Sequence, residues 1–316
     1  MEFLIKPHSI ASTIKYCKHS EINKVRWDAL VQRSAQNGLI YAHTEMLDAM
    51  SPGWDALVMG DYEAVMPLTW RKKLGIRYLC QPAFCQQLGI FSEKEISLET
   101  TQAFLRKASL YFRLIEIFIN YANPTVEGQT GASNFVMPLE KGYKALKANY
   151  RNDLLKNLAR TEKFSLHYAV SEDVENALGQ YREIYGNKMN MRPVDYEALA
   201  ILCKKWLLQG KCFVREVRLQ EGQRDELLAI GLFLKDQNRI YNIASSTLPN
   251  GRTLEANHFL FDQLIREFAG QNLLLDFEGS DLPGVARFYQ KFGPVNQPYF
   301  FWKSNRLPAV LRWWKR

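Results

Sequence analysis

The chain has 316 residues, 47% of them hydrophobic and 23% charged; the length fits two compact domains, and the composition excludes disordered, fibrous and small disulfide-stapled classes. Its formal charge of +8 is local: residues 141–163 set seven Lys or Arg against Asp153 and Glu162, and residues 303–316 carry five with no acid. The rest of the chain is slightly acidic, so an anionic partner is to be sought at those two segments.

No run approaches the ~18 consecutive apolar residues of a membrane-spanning helix, because Lys6, Arg71, Lys107 and Arg113 interrupt the apolar stretches. Lys6, Pro7 and His8 break the apolar core that a secretory leader needs, so a cytoplasmic location is expected. The five cysteines lack the close spacing of a zinc or redox motif; they read as reduced, mostly buried thiols, and no metal is expected.

In chain order, the sequence predicts strands at Ala56 to Met59, Ala64 to Trp70 and Ile76 to Gln81, the first two joined through Gly60-Asp61. A helical stretch, Leu98 to Tyr111, leads into a strand, Leu114 to Asn120. Next, Tyr143, Leu146, Tyr150, Leu154 and Leu158 recur at helical spacing beneath the basic residues, which predicts one amphipathic helix over Lys144 to Lys163. Its Lys147, Arg151 and Lys156 form either a solvated face or a contact for substrate phosphates. The strand pattern then returns at Cys212 to Leu219, Leu227 to Leu234 and Arg239 to Ser245, followed by a helix, Leu254 to Phe268, and a strand, Leu273 to Phe277. Both halves read strand, strand, strand, helix, strand. The expected architecture is mixed α/β (α+β), with two tandem modules over 1–140 and 141–316, the linker helix opening the second.

A meander followed by a helix and one further strand resembles the GNAT acyltransferase fold, and its doubling resembles the FemAB-like branch of that superfamily. The resemblance is densest from Leu275-Asp276-Phe277-Glu278-Gly279-Ser280 through Pro283-Gly284-Val285-Ala286-Arg287-Phe288-Tyr289 to Phe292-Gly293. It is also dense from Pro67-Leu68 through Arg71-Lys72-Lys73 and Gln81-Pro82 to Gln86-Gln87-Leu88-Gly89. It implies two GNAT-like modules and an acyltransferase, with the first module, which lacks a counterpart of the 276–289 segment, the degenerate copy.

Acyl transfer to an amine needs a base, an oxyanion donor and an acid for the leaving group. Strand alternation puts Asp276 and Glu278 on one face about 7 Å apart, near enough to raise each other's pKa. Asp276 fits either the base or an anchor of the following loop, and Glu278, nearer the open end, fits the base. Ser280 or Asp281 is expected to cap the next helix, with Pro283 in its first turn. Tyr289, four residues before Gly293, matches the GNAT tyrosine that protonates the leaving thiolate; a tyrosine on an amphipathic helix also fits the core, its hydroxyl tied off.

The resemblance implies a diphosphate cradle for acyl-CoA at Asn250, Gly251, Arg252 and Thr253, and an ordinary turn capped by Thr253 fits the same residues. His258 reads as a helix histidine within the fold. In the tRNA-dependent FemAB group a Lys is expected where Tyr289 stands. Acyl-CoA is therefore the first donor, and an aminoacyl-tRNA used on a cell-wall precursor the second. A non-catalytic binding module is the third reading. The terminal residues 307–316, with Trp313 and Trp314 among cations, fit peripheral contact with an anionic inner membrane surface or packing back onto the second module.

Overall fold

A computed structural model describes residues 13–34, 36–188, 191–278 and 283–308. The expected caps Ser280 and Asp281, and the tryptophans Trp313 and Trp314, lie outside the described residues. The chain begins with β1 (Ile14–Cys17), α1 (Lys24–Arg33), α2 (Thr44–Met50), β2 (Asp55–Met59), β3 (Ala64–Leu68), β4 (Trp70–Lys73), β5 (Ile76–Cys80) and β6 (Phe91–Ser92). It continues through α3 (Leu98–Tyr111), β7 (Leu114–Ile119), β8 (Gln129–Ala132), β9 (Phe135–Pro138), α4 (Tyr143–Lys147), α5 (Asn152–Thr161), β10 (Leu166–Ser171), α6 (Val174–Tyr185) and α7 (Pro193–Leu207). The last stretch is β11 (Cys212–Glu221), β12 (Arg224–Lys235), β13 (Arg239–Thr247), α8 (Pro249–Thr253), α9 (Ala256–Phe268), β14 (Leu274–Asp276), α10 (Pro283–Tyr289), β15 (Val295–Asn296) and β16 (Tyr299–Asn305).

These elements form two compact units, Met1–Ala132 with Pro298–Arg316, and Ser133–Gln297. The first holds two sheets, ordered β1-β2-β3-β6 and β4-β5-β7-β16-β8. The strand expected over Ala64 to Trp70 breaks at Thr69, and its halves join different sheets. Pro67 has no N–H with which to extend a ladder, and Thr69 turns to the other sheet, its hydroxyl donating to the Cys80 carbonyl at 2.9 Å. Helix α3 keeps its expected bounds: Ser97 accepts from the Thr100 N–H at 3.1 Å, and Thr101, Phe104, Leu105 and Ala108 are buried at helical spacing. Strand β16 lies between β7 and β8, so residues that the sequence reading placed with the second module complete the sheet of the first unit. Their apolar run supplies the reason: Trp302 is buried in this unit's core, and Phe118 of β7 contacts Phe301.

The second unit is a single sheet ordered β10-β11-β12-β13-β14-β9-β15. The expected meander is present as β11, β12 and β13, and the half-exposed edge strand β10 extends it beyond the prediction. The long basic helix is two helices, not one. Residues 148–151 leave the helical path, because the Arg151 N–H bonds the Lys291 carbonyl at 2.9 Å and Arg151 takes an extended conformation before α5. Leu146, Tyr150, Leu154 and Leu158 are nevertheless all buried in one cluster with Phe261, Leu264 and Phe268 of α9. Beneath them Arg239 of β13 and Asp276 of β14 form a buried ion pair at 2.6 Å, to which Asn134 adds a bond at 3.1 Å. Among the described residues no helix is long and apolar enough to cross a membrane.

Candidate functional site

The Ser133–Gln297 unit opens where two parallel strands part. Strand β13 pairs with β14 only over Arg239–Tyr241 and Leu274–Asp276, yet it runs on to Thr247 along β12. Between Leu232 and Phe233 the β12 register against β13 shifts, leaving Ile243 as an extra residue. Such a bulge bends its strand and increases local twist, here two residues past the last β13–β14 pair. On the other side the chain leaves the sheet as the Phe277 N–H bonds the Phe135 carbonyl at 3.0 Å. Glu278 follows in the left-handed region at φ 60°, a conformation that costs a residue with a Cβ and recurs at ligand sites. The result is a notch whose β13 wall, from Asn242 to Thr247, presents strand-edge backbone groups that no described strand pairs.

Asn242 spans the notch. Its amide donates to the Tyr289 hydroxyl at 2.9 Å and to the Phe277 carbonyl at 3.3 Å, while its own carbonyl oxygen is buried without a partner. The Tyr289 ring packs on Phe277 with centroids 4.9 Å apart. Burial pushes the Tyr289 phenol above its usual range, against the opposing effect of Ser245 and Asn242, and Tyr181 and Tyr185 raise it further. Those two tyrosines end the buried stripe of α6, which packs across β12 and β13, and their rings lie 5.2 Å apart.

The carboxylates part company. The strand ends at Asp276, so alternation does not carry to Glu278 and the two do not share a strand face. Asp276 is fully buried, paired with Arg239, and accepts the Glu278 N–H at 2.9 Å. Its bond to the Glu278 N–H is the geometry expected of a loop anchor, and Arg239 takes up its other carboxylate oxygen. Glu278 is half-buried, and burial alone, not a second carboxylate, pushes its carboxyl well above the usual range. Sequence reasoning missed Asn242, Ser245, Tyr181 and Tyr185. The signal was there in Asn242-Ile243-Ala244-Ser245-Ser246, a polar and small run inside an otherwise apolar central strand.

The expected diphosphate cradle is not an open turn. Residues 249–253 form the short helix α8, where Gly251 lies so close to β12 that a Cβ would stand 2.1 Å from the Leu228 carbonyl oxygen. Asn250 donates to Glu226 at 2.6 Å, and Thr253 bonds back to the Asn250 carbonyl at 2.8 Å, so Thr253 does not cap the following helix. Arg252 remains exposed beside the Thr247 carbonyl. At the start of α9 stands Glu255, its carboxylate held by Arg160 and, at 2.8 Å, by His258. His258 is buried, which lowers its pKa, and Lys291 lowers it further while Glu255 opposes.

Of the linker cations, Lys147 lies over the Tyr143 ring, and Arg151 and Lys156 are exposed. Lys147 ends α4, Arg151 lies in the extended link and Lys156 is on α5, so no single helix face carries all three.

The sequence matches no family model and no curated protein; similarity appears in the fold. A structure of FemX aligns over 93% of this chain and 99% of its own, with a TM-score of 0.66 at 13% identity. The C-terminal domain of a putative lysylphosphatidylglycerol synthetase from Agrobacterium fabrum aligns over 91% and 92%, at 0.54 and 13%. A tandem GNAT protein from the clavulanic acid biosynthesis pathway aligns over 94% and 99%, at 0.52 and 10%. The chain shares its fold with FemX and with a tandem GNAT protein.

Proposed function

We propose that the chain is an N-acyltransferase that moves an acyl group from an acyl thioester, acyl-CoA, to an amine, with the chemistry in the Ser133–Gln297 unit. The observation that carries this reading is the notch at the end of β14, where Asn242 bonds both the Tyr289 hydroxyl and the Phe277 carbonyl, one residue before Glu278, beside the part of β13 that β14 leaves unpaired. The first unit supports it by contrast. There the parallel pair β5 and β7 is closed by the chain itself: the Gln81 side chain accepts the Phe118 N–H at 2.9 Å, and Leu88 continues the ladder with bonds to Phe118 and Asn120.

In the notch, Glu278 takes the proton of the attacking amine as its nitrogen bonds the thioester carbonyl carbon. A raised carboxyl pKa suits a base working near neutrality. Backbone N–H groups along the β13 edge stabilise the oxyanion. As the carbon–sulfur bond breaks, the Tyr289 hydroxyl, whose oxygen already accepts from Asn242, donates a hydrogen bond to the leaving sulfur; the thiolate departs and takes its proton from water, and Glu278 returns the amine proton to solvent. The elevated pKa of the phenol makes full transfer to a thiolate uphill, so Tyr289 acts chiefly as a hydrogen-bond donor there.

Under this reading turnover releases one free thiol per acyl group, Arg252→Ala weakens donor binding, and salt has a modest effect. A second reading, aminoacyl-tRNA as donor, is favoured by Glu255 at the start of α9, which sets a carboxylate where a diphosphate would lie. It requires affinity to fall by orders of magnitude between about 50 and 200 mM salt, and charge reversal at Lys147, Arg151 and Lys156 to abolish binding. Thiol assays with acyl-CoA and salt-dependent tRNA binding decide between them. A steep salt slope with tRNA and no thiol release overturns the acyl-CoA reading.

A further inference from the structure

Helix α7 carries an apolar stripe that the second unit leaves uncovered. The helix packs on β11 and beside α6, and its inward side is filled: Tyr196, Leu199, Leu202, Cys203 and Trp206 are buried at helical spacing. On the opposite side Val194, Ile201 and Leu208 are 51%, 73% and 92% exposed. Seven residues turn about 700°, only ~20° short of two full turns, so the three stand one above another over roughly 21 Å. Leu208 follows the last helical residue but keeps helical backbone angles, φ −65° and ψ −19°, and so stays on the stripe.

The stripe has a centre. Val194 lies seven residues before Ile201 and Leu208 seven after it, while the exposed Glu197 lies four before and the exposed Lys204 and Lys205 three and four after. Ala198, small and half-buried beside Glu197, leaves room for close approach at the same level. Lys204 bonds Glu175 of α6 at 2.5 Å, and an ammonium has two further donors to offer.

Reversing the direction of this helix therefore exchanges apolar for apolar and acid for base. Two copies of α7 laid antiparallel about an axis at Ile201 set Val194 of each against Leu208 of the other, and bring each Glu197 level with Lys204 and Lys205 of the second copy. A parallel pair would set Glu197 against Glu197 and lysine against lysine. Self-complementarity of this kind is the condition for a two-fold contact, in which one patch meets itself, and a foreign partner would not require it. We propose that the outward face of α7 is a homodimer interface, at which two copies of this chain pair antiparallel about Ile201.

Sedimentation velocity of the full chain from about 1 to 200 µM tests this. One helix face per copy is small for an interface, so a dimer with a Kd of roughly 1–100 µM is expected. Ile201→Asp puts two carboxylates on the axis and should weaken dimerisation by ~10²-fold or more. Val25→Asp, at an 80% exposed position of the first unit, should leave it unchanged. Glu197→Lys should weaken it about tenfold through like-charge contact, and adding Lys204→Glu with Lys205→Glu should restore it. Thermal melts establish that each variant is folded. A monomer throughout this concentration range would overturn the proposal, as would a dimer indifferent to Ile201→Asp in folded protein. Failure of the two lysine reversals to rescue Glu197→Lys would overturn the antiparallel pairing.

Discussion

At the scale of single residues, Glu278 combines a left-handed backbone, a half-buried side chain and a carboxyl held above its usual pKa by burial. The folded state therefore holds its proton more tightly than the unfolded chain does. Its contribution to stability is fully present below the unfolded pKa of about 4.3 and is lost as pH rises through the folded pKa. Glu278→Gln should accordingly gain stability over wild type as pH increases, while acyl transfer falls by roughly 10²-fold. Thermal melts at pH 5 and 8 beside an activity assay test both; a stability gap that does not widen with pH would remove the burial argument. Tyr289→Phe deletes the hydroxyl that Asn242 supports. It should lower the rate by ~10-fold to 10²-fold with the fold intact, and a wild-type rate would make Tyr289 a packing residue.

At the scale of elements, two close contacts lock the second unit's sheet to its neighbours. Gly251 brings α8 directly onto β12, and a methyl group at 2.1 Å from the Leu228 oxygen has no room. Gly251→Ala should cost ~1–3 kcal/mol or more of overpacking, seen as a lower melting midpoint whatever the donor. The buried pair of Arg239 with Asp276 joins the first paired residue of β13 to the last of β14. Asp276→Asn strands the guanidinium and should cost ~3–5 kcal/mol by denaturant unfolding. Loss of activity in a fully stable Asp276→Asn chain would instead return Asp276 to the chemistry. Element identity was legible where side-chain periodicity was strong, as in α3 and the meander β11 to β13. It was not legible at Thr69 or at residues 148–151, where hydrogen bonds to Cys80 and to Lys291, distant in sequence, decide where a strand or helix stops.

For the molecule as a whole, the discontinuous first unit makes a separate claim. Strand β16 is an interior strand of its sheet, bonded to β7 on one side and β8 on the other. Removing everything after Gln297 leaves β7 with an unpaired edge and Trp302 missing from the core. The shortened chain should lose the cooperative unfolding of the first unit and keep that of Ser133–Gln297, which calorimetry resolves as one transition in place of two. Because the chain closes its own β5–β7 opening, donor binding by titration calorimetry should saturate at one equivalent per chain; two equivalents would show that both units hold ligand.

The sequence by itself determined the composition of the two α/β halves, the meander of the second, the helix–strand pairs that follow each, and the stretch from Leu275 to Gly293 as the place to look for chemistry. Those features rest on local periodicity and turn residues, which neighbours along the chain are enough to express. Only the tertiary structure decided that Asp276 pairs with Arg239 and holds the Glu278 N–H, that Asn242 reaches the Tyr289 hydroxyl, and that β16 belongs with the first unit. Each of those depends on partners brought together across tens to hundreds of residues: an arginine that neutralises one carboxylate, a bulge that parts two strands, and an open sheet edge that the last strand fills.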